Sequence, residues 1–185
     1  MKRNHVFFIG LFMVILASCS KDEVKSKTYV AAPVNIGNGS AHTFITNDAN
    51  DKPTTIGIRL TEDALNGLPT EGDPNMGGEL PGYMMDLPAE ANGSGYNHSE
   101  MDWNPHGHEP LFAYGVPHFD FHFYMITPEE QAEVIPGPDT IPVDPKYIPK
   151  NYISGVMAVP DMGTHWVDTT SAEFTGKPFT ITFIY

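Results

Sequence analysis

From Pro117 to Tyr124 the chain reads Pro-His-Phe-Asp-Phe-His-Phe-Tyr, a strict alternation of polar and apolar side chains. Successive side chains of a strand point to opposite faces. Phe119, Phe121 and Phe123 are therefore expected on one face, and His118, Asp120, His122 and Tyr124 on the other. A helix would scatter both sets, and three aromatics at period two argue for a strand, here Val116 to Met125. The pattern predicts a packed apolar face and, behind it, a row of ionisable groups.

The other elements are shorter. Ala41–Thr46 and Thr54–Leu60 are β-favouring and flank the turn cluster Asn47–Pro53, which reads as a hairpin. Thr61–Gly67 is expected to be a short helix with Thr61 as its cap, acids in the first turn and Gly67 as its stop. Residues 69–82, with three Pro and four Gly, read as loop, Gly82–Leu87 as a strand and 88–96 as loop again. Asn104–Pro110 is a tight turn. Thr127–Glu133 is a second short helix, with Thr127 as cap and Pro128 in the first turn. Residues 136–149 carry five prolines and are expected to run extended on the surface. Met157–Val159 and Gly163–Val167 are strand candidates, and Phe179–Tyr185 is expected to be a terminal strand. The class is mainly β: an antiparallel sandwich or barrel with one or two short helices and long Pro/Gly-rich loops.

Composition agrees with this. With 17 Gly and 17 Pro in 185 residues, a long-helix bundle or coiled coil is excluded. The length suits one domain, and 41% hydrophobic residues suffice for a core. A net charge of −13 argues against a nucleic-acid partner, because affinity for phosphate rests on cationic side chains.

The N-terminus reads as an address. Met1-Lys2-Arg3 is basic, Val6–Ala17 is almost wholly apolar, and Leu16-Ala17-Ser18-Cys19 follows. The apolar run is too short to span a bilayer and fits a secretory signal. A small-residue pair before the chain's single Cys resembles the bacterial lipobox, in which the thiol is lipidated. The expected organisation is a lipoprotein signal peptide over 1–18, a lipid anchor on Cys19 with a tether over 19–33, and one β-rich domain over 34–185. The membrane is then a partner through that lipid. Ser20 is not the Asp that marks inner-membrane retention, and Lys21-Asp22-Glu23 resembles the surface-export signal of Bacteroidetes lipoproteins. Localisation in the outer membrane, displayed at the surface, is the expectation. Loss of Lys2 and Arg3 with the signal would leave eight cations against 23 acids, a charge of −15.

Candidate chemistry centres on the polar face of the Pro117–Tyr124 strand. His is the commonest metal ligand. Four strand steps put His118 and His122 roughly 13 Å apart at Cα, so sharing one ion requires them to lean together. His118 with Asp120, or Asp120 with His122, is an easier pair, and a further ligand would come from His106-Gly107-His108-Glu109 or from Met162-Gly163-Thr164-His165-Trp166. The expected ligands are His118, His122 and His165, with His108 as a fourth, and Asp120 or Glu109 as ligand, orienting group or base. Without a second Cys there is no intrachain disulfide and no thiolate cage, so the donors are N and O and the ion is zinc, manganese or iron(II). A zinc-type hydrolytic site is favoured over a two-His-one-carboxylate oxygenase site. The alternative is a non-catalytic binding or stress module in which the His cluster is structural, and a third option is a glycan-binding surface using Tyr83, Tyr96, Trp103, Tyr114 and Trp166. The chain lacks the G-x-S-x-G, P-loop, G-x-G-x-x-G and H-E-x-x-H patterns.

Gly37-Asn38-Gly39, Asp102-Trp103-Asn104-Pro105, Gly107-His108-Glu109-Pro110, the Pro117–Tyr124 string and Met162–Trp166 together resemble an uncharacterised bacterial family described from a Thermus protein under extracytoplasmic sigma-factor control. The resemblance would extend over residues 34–185, and its most specific part is the eight-residue string. It implies a secreted or envelope β-rich protein and assigns no reaction. Members of that family continue past the strand equivalent to Thr182–Tyr185 with residues that include a Glu-Pro, whereas this chain stops at Tyr185. The expectation is either a C-terminal truncation or a homo-oligomer whose partner covers the exposed edge.

Overall fold

The computed structural model describes residues 26–72, 80, 82–138 and 141–185. The signal segment 1–18, Cys19, the export tripeptide and the first part of the tether lie outside the described residues.

The fold is mainly β, as expected, with three antiparallel sheets and two one-turn α-helices among the described residues. None of the sheets closes into a barrel. In the first, β3 (Gly39–Asn47) is central: β1 (Lys27–Val30) and β2 (Val34–Ile36) share one of its edges, and β4 (Pro53–Leu60) takes the other. The expected hairpin is thus β3–β4. Part of the stretch read as tether belongs to the sheet, since β1 pairs Lys27–Val30 with Asn47–Phe44. Strand β3 shows why its sequence folds this way. Ala41, Thr43, Ile45 and Asn47 are buried while the residues between them are half-exposed.

The second sheet is ordered β5 (Tyr83–Asp86), β6 (His98–Asn104), β7 (His118–Tyr124). The third is ordered β8 (Gly137–Pro138), β9 (Tyr152–Val159), β10 (Gly163–Asp168). The core joins the first two: Ile36, Ala41, Ala64, Met85 and Met101 form one buried cluster, against which Val34, Ile58, Leu60, Leu68, Tyr83 and Phe119 pack. The Thr43 hydroxyl donates to the Asp86 carbonyl, tying the sheets at 2.5 Å.

Several expectations are corrected. Thr61–Gly67 forms a 3-10 turn over Glu62–Leu65, and the Thr61 hydroxyl accepts from the Ser40 N–H and does not cap it. The second helix is α2 (Pro128–Gln131), closed by a full capping box between Thr127 and Glu130. Strand β6 and helix α1 (Leu111–Tyr114) were not anticipated. The Phe179–Tyr185 strand is reduced to one bridge, Val167 to Ile184, with paired backbone hydrogen bonds between Trp166 and Tyr185. β10 is also paired with β9, where the register shifts between Thr164 and Trp166 because Gly155–Met157 of β9 stand opposite the single residue His165.

Both faces of β7 are partly covered, so the expected division into a packed face and an open one is only half met. Phe119 joins the core and meets Trp103 at 4.7 Å, but Phe121 is 48% exposed. The ionisable face is covered too, since the His118 side chain retains only 8% exposure and Tyr124 is buried. Strict alternation separates the faces, but which face is covered depends on the elements that fold over it.

Candidate metal centre

The register of the second sheet places a row of polar side chains on one face. His98, Glu100, Asp102 and Asn104 of β6 stand opposite Tyr124, His122, Asp120 and His118 of β7. The cover over this row comes from α1 with the following turn, from the 173–179 segment and from α2. Tyr114 and Phe179 both lie against His118, with ring centroids at 6.4 and 5.2 Å. The buried amide of Gln131 closes the other end, bonding His98 Nε2 at 2.6 Å and donating to Glu100 Oε2 at 2.9 Å.

One group in this row has metal-ligand geometry. One donor atom each from His108, His118 and Asp120 lie within 4.8 Å of one another. His108 enters from the turn between β6 and β7. Gly107 makes that entry possible: its φ is +68°, and a Cβ there would collide with the Tyr114 carbonyl and come within 2.7 Å of the Val116 nitrogen. His108 Nε2 meets Asp120 Oδ2 at 3.1 Å, and His118 Nε2 meets Asp120 Oδ1 at 3.5 Å. The two imidazoles are 4.9 Å apart between centroids.

The outer hydrogen bonds orient all three groups. His108 Nδ1 faces the Glu109 carbonyl at 2.8 Å, and His118 Nδ1 faces the Val116 carbonyl at 2.6 Å. A carbonyl only accepts, so both Nδ1 atoms carry their protons and both Nε2 atoms turn toward Asp120. Asn104 Nδ2 donates to Asp120 Oδ2 at 2.8 Å and steadies the carboxylate. His118 Nε2 is buried and has no hydrogen-bond partner among protein atoms. A buried imidazole nitrogen in that condition is costly unless something else satisfies it.

The electrostatics are those of a tight His–carboxylate group. The hydrogen bond with Asp120 raises the His108 pKa against the opposing effect of burial, with help from the Glu109 carbonyl. Burial alone would push the Asp120 carboxyl up, but the His108 hydrogen bond and the His118, His108 and His122 imidazoles outweigh it and hold it below the usual range. Burial would lower His122, yet Asp102, Asp120 and Glu100 together raise it. Burial, reinforced by His122 and His108, depresses His165.

The other expected site residues are placed as follows. His122 does not reach the His118 group. Its Nε2 lies 3.1 Å from Asp102 Oδ2, across the strand pair. His165 lies in β10 opposite the bulge of β9 at Gly155–Met157, half-buried and within the electrostatic field of His122, Asp120 and His108, outside the 4.8 Å group. Glu109 is exposed, and its carboxylate accepts the Leu111 N–H at the start of α1, so it is not brought to the donors. His106 is exposed and lies 4.0 Å from Glu71. Trp103 donates to the Pro69 carbonyl and packs on Phe119, and Tyr114 is buried with its hydroxyl on Glu173, so neither offers a free stacking face. Asp102, Glu100, Asn104 and Gln131 were missed. The signal was present: His98 to Asn104 alternates like Pro117 to Tyr124, with His98, Glu100, Asp102 and Asn104 on one side.

Residues 48–103 match the family described as TTHB210-like, Hypothetical protein TTHB210. The match takes in β4, β5 and most of β6, including Glu100 and Asp102, and ends before His108 and β7. The chain therefore resembles, over this segment, a family of hypothetical proteins whose description names no activity. No curated protein and no solved structure matches the chain.

Proposed function

We propose that this chain is a lipid-anchored cell-envelope protein whose β-rich domain binds a divalent metal ion through His108, His118 and Asp120. The observation that supports the metal is the convergence of three donor atoms within 4.8 Å, with each imidazole already held by a backbone carbonyl on its far nitrogen. That outer bond is the usual companion of a metal-ligating His, because it fixes the tautomer and the ring. Two imidazoles and one carboxylate suit zinc, manganese or iron(II). Three protein ligands leave a coordination position open, as in catalytic sites, where structural zinc sites use four. The reaction class this favours is hydrolysis by a metal-bound water whose pKa the ion lowers. In this reading Asp120 is a ligand and not the base.

Anchoring is supported by the basic start, the short apolar run and Leu16-Ala17-Ser18-Cys19. No described helix is long and apolar enough to cross a membrane, so attachment is assigned to the lipid on Cys19, with the outer membrane as destination. A second copy over the C-terminal segment fits the exposed Ile181, Phe183 and Tyr185.

The test is elemental mass spectrometry of the purified chain beside His118→Ala and the more exposed His108→Ala. Near-stoichiometric zinc, manganese or iron in the parent, lost in both variants, is the expected result. A parent protein without metal after reconstitution with each of the three overturns the reading and leaves the His cluster structural. Acyl labelling of the parent, absent in Cys19→Ser, tests the anchor separately.

A further inference from the structure

The polar face of β6 and β7 holds more donors than the His108–His118–Asp120 group uses. Asp102 Oδ2 and His122 Nε2 lie 3.1 Å apart, both buried, and neither finds another hydrogen-bond partner among the described protein atoms. Asp102 is also the direct cross-strand partner of Asp120, and Glu100 is the partner of His122. Like charges directly opposed on paired strands repel. Three carboxylates on neighbouring positions of one covered face therefore call for cations. Gly82 leaves them room on the β5 side: a Cβ there would strike the Glu100 carboxylate and come within 2.8 Å of Asp102 Oδ1.

We propose that Asp102 and His122 form a second cation subsite, so that this sheet face holds a pair of divalent ions with the opposed Asp102 and Asp120 carboxylates between them. The inference rests on the first site being a metal site. Donors 3.1 Å apart, each about 2.1 Å from an ion, subtend roughly 95° there, an angle that octahedral coordination accepts. Asp102 and Asp120 are direct cross-strand partners, which sets the two donor groups side by side on the sheet, and two-metal sites hold their ions about 3.5–4 Å apart.

The test is a manganese(II) titration of the metal-free full chain, read by bound metal per chain and by electron paramagnetic resonance. The expected result is two ions per chain with an exchange-coupled spectrum. Asp102→Asn and His122→Gln, both close in shape to the residues they replace, are each expected to halve the bound metal and to give the spectrum of an isolated ion. A parent protein that binds one ion, with Asp102→Asn unchanged, overturns the second subsite and leaves the first standing. A parent that binds none overturns both. Two ions without exchange coupling place the second ion elsewhere and overturn the pairing. The parent's own stoichiometry and coupling decide the matter even if a variant fails to fold by circular dichroism.

Discussion

Asp120→Asn separates the metal reading from the structural one. Asp120 supplies the only carboxylate of the three-donor group. Asn keeps its shape and can still accept from Asn104 Nδ2, now 2.8 Å from Oδ2, so the backbone and the β6–β7 ladder have no reason to move. The metal-free protein loses the half-exposed His108–Asp120 ion pair, which is on the scale of about 1 kcal/mol at such a site. Metal binding loses much more. A unit negative charge about 2 Å from a divalent ion contributes about 4 kcal/mol even at the dielectric of water. That corresponds to about a thousandfold in Kd. Competition with a chromophoric chelator reads the Kd directly, and thermal melts read it by linkage. Metal at about 100 times Kd stabilises the folded state by about 2.7 kcal/mol. For a chain of 185 residues that raises Tm by about 5–11 °C. The parent should show this rise, and Asp120→Asn at the same metal concentration should show almost none. A variant that binds metal as tightly as the parent and melts with the same rise would refute Asp120 as a ligand.

Two further outcomes follow from the same geometry. The pKa of His108 and of His122 is raised in the fold, so their stabilisation is present below the ordinary His value of 6.5 and is lost as pH rises through the folded value. That of Asp120 is lowered, so its stabilisation is present above the ordinary 3.8 and is lost as pH falls through the folded value. Urea melts of the metal-free protein should therefore show most stability between those two pH values, whereas metal affinity should climb as pH rises and protons leave the imidazoles, and a metal-free optimum above pH 8 would contradict the assignment. Gln131→Leu should cost about 1–3 kcal/mol in urea melts, because it strips buried partners from His98 and Glu100, and a loss below about 0.5 kcal/mol would show that the amide bridge is not needed.

The sequence by itself determined the local facts. Period-two alternation made β7 legible and sorted its side chains into two sets, because a strand's faces are fixed by parity alone. Turn chemistry made the β3–β4 hairpin legible, and the Thr-Pro-Glu-Glu pattern did the same for α2. Five His between 106 and 165, with Asp120 among them, marked the region of the candidate site. What only the tertiary structure decided is which of these groups meet. His108 reaches Asp120 because Gly107 turns the chain back under Tyr114, whereas His122 is drawn across the strand pair to Asp102 by the register of β6 on β7. The ionisable face of β7 is covered, as the Phe119 end of the other face is, because α1, α2 and the 173–179 segment fold over it, and no pattern within β7 encodes their position. The terminal strand expected at 179–185 failed for the same kind of reason. Its residues favour a strand, but composition alone does not supply a partner edge, and here only Ile184 bridges to Val167 of β10.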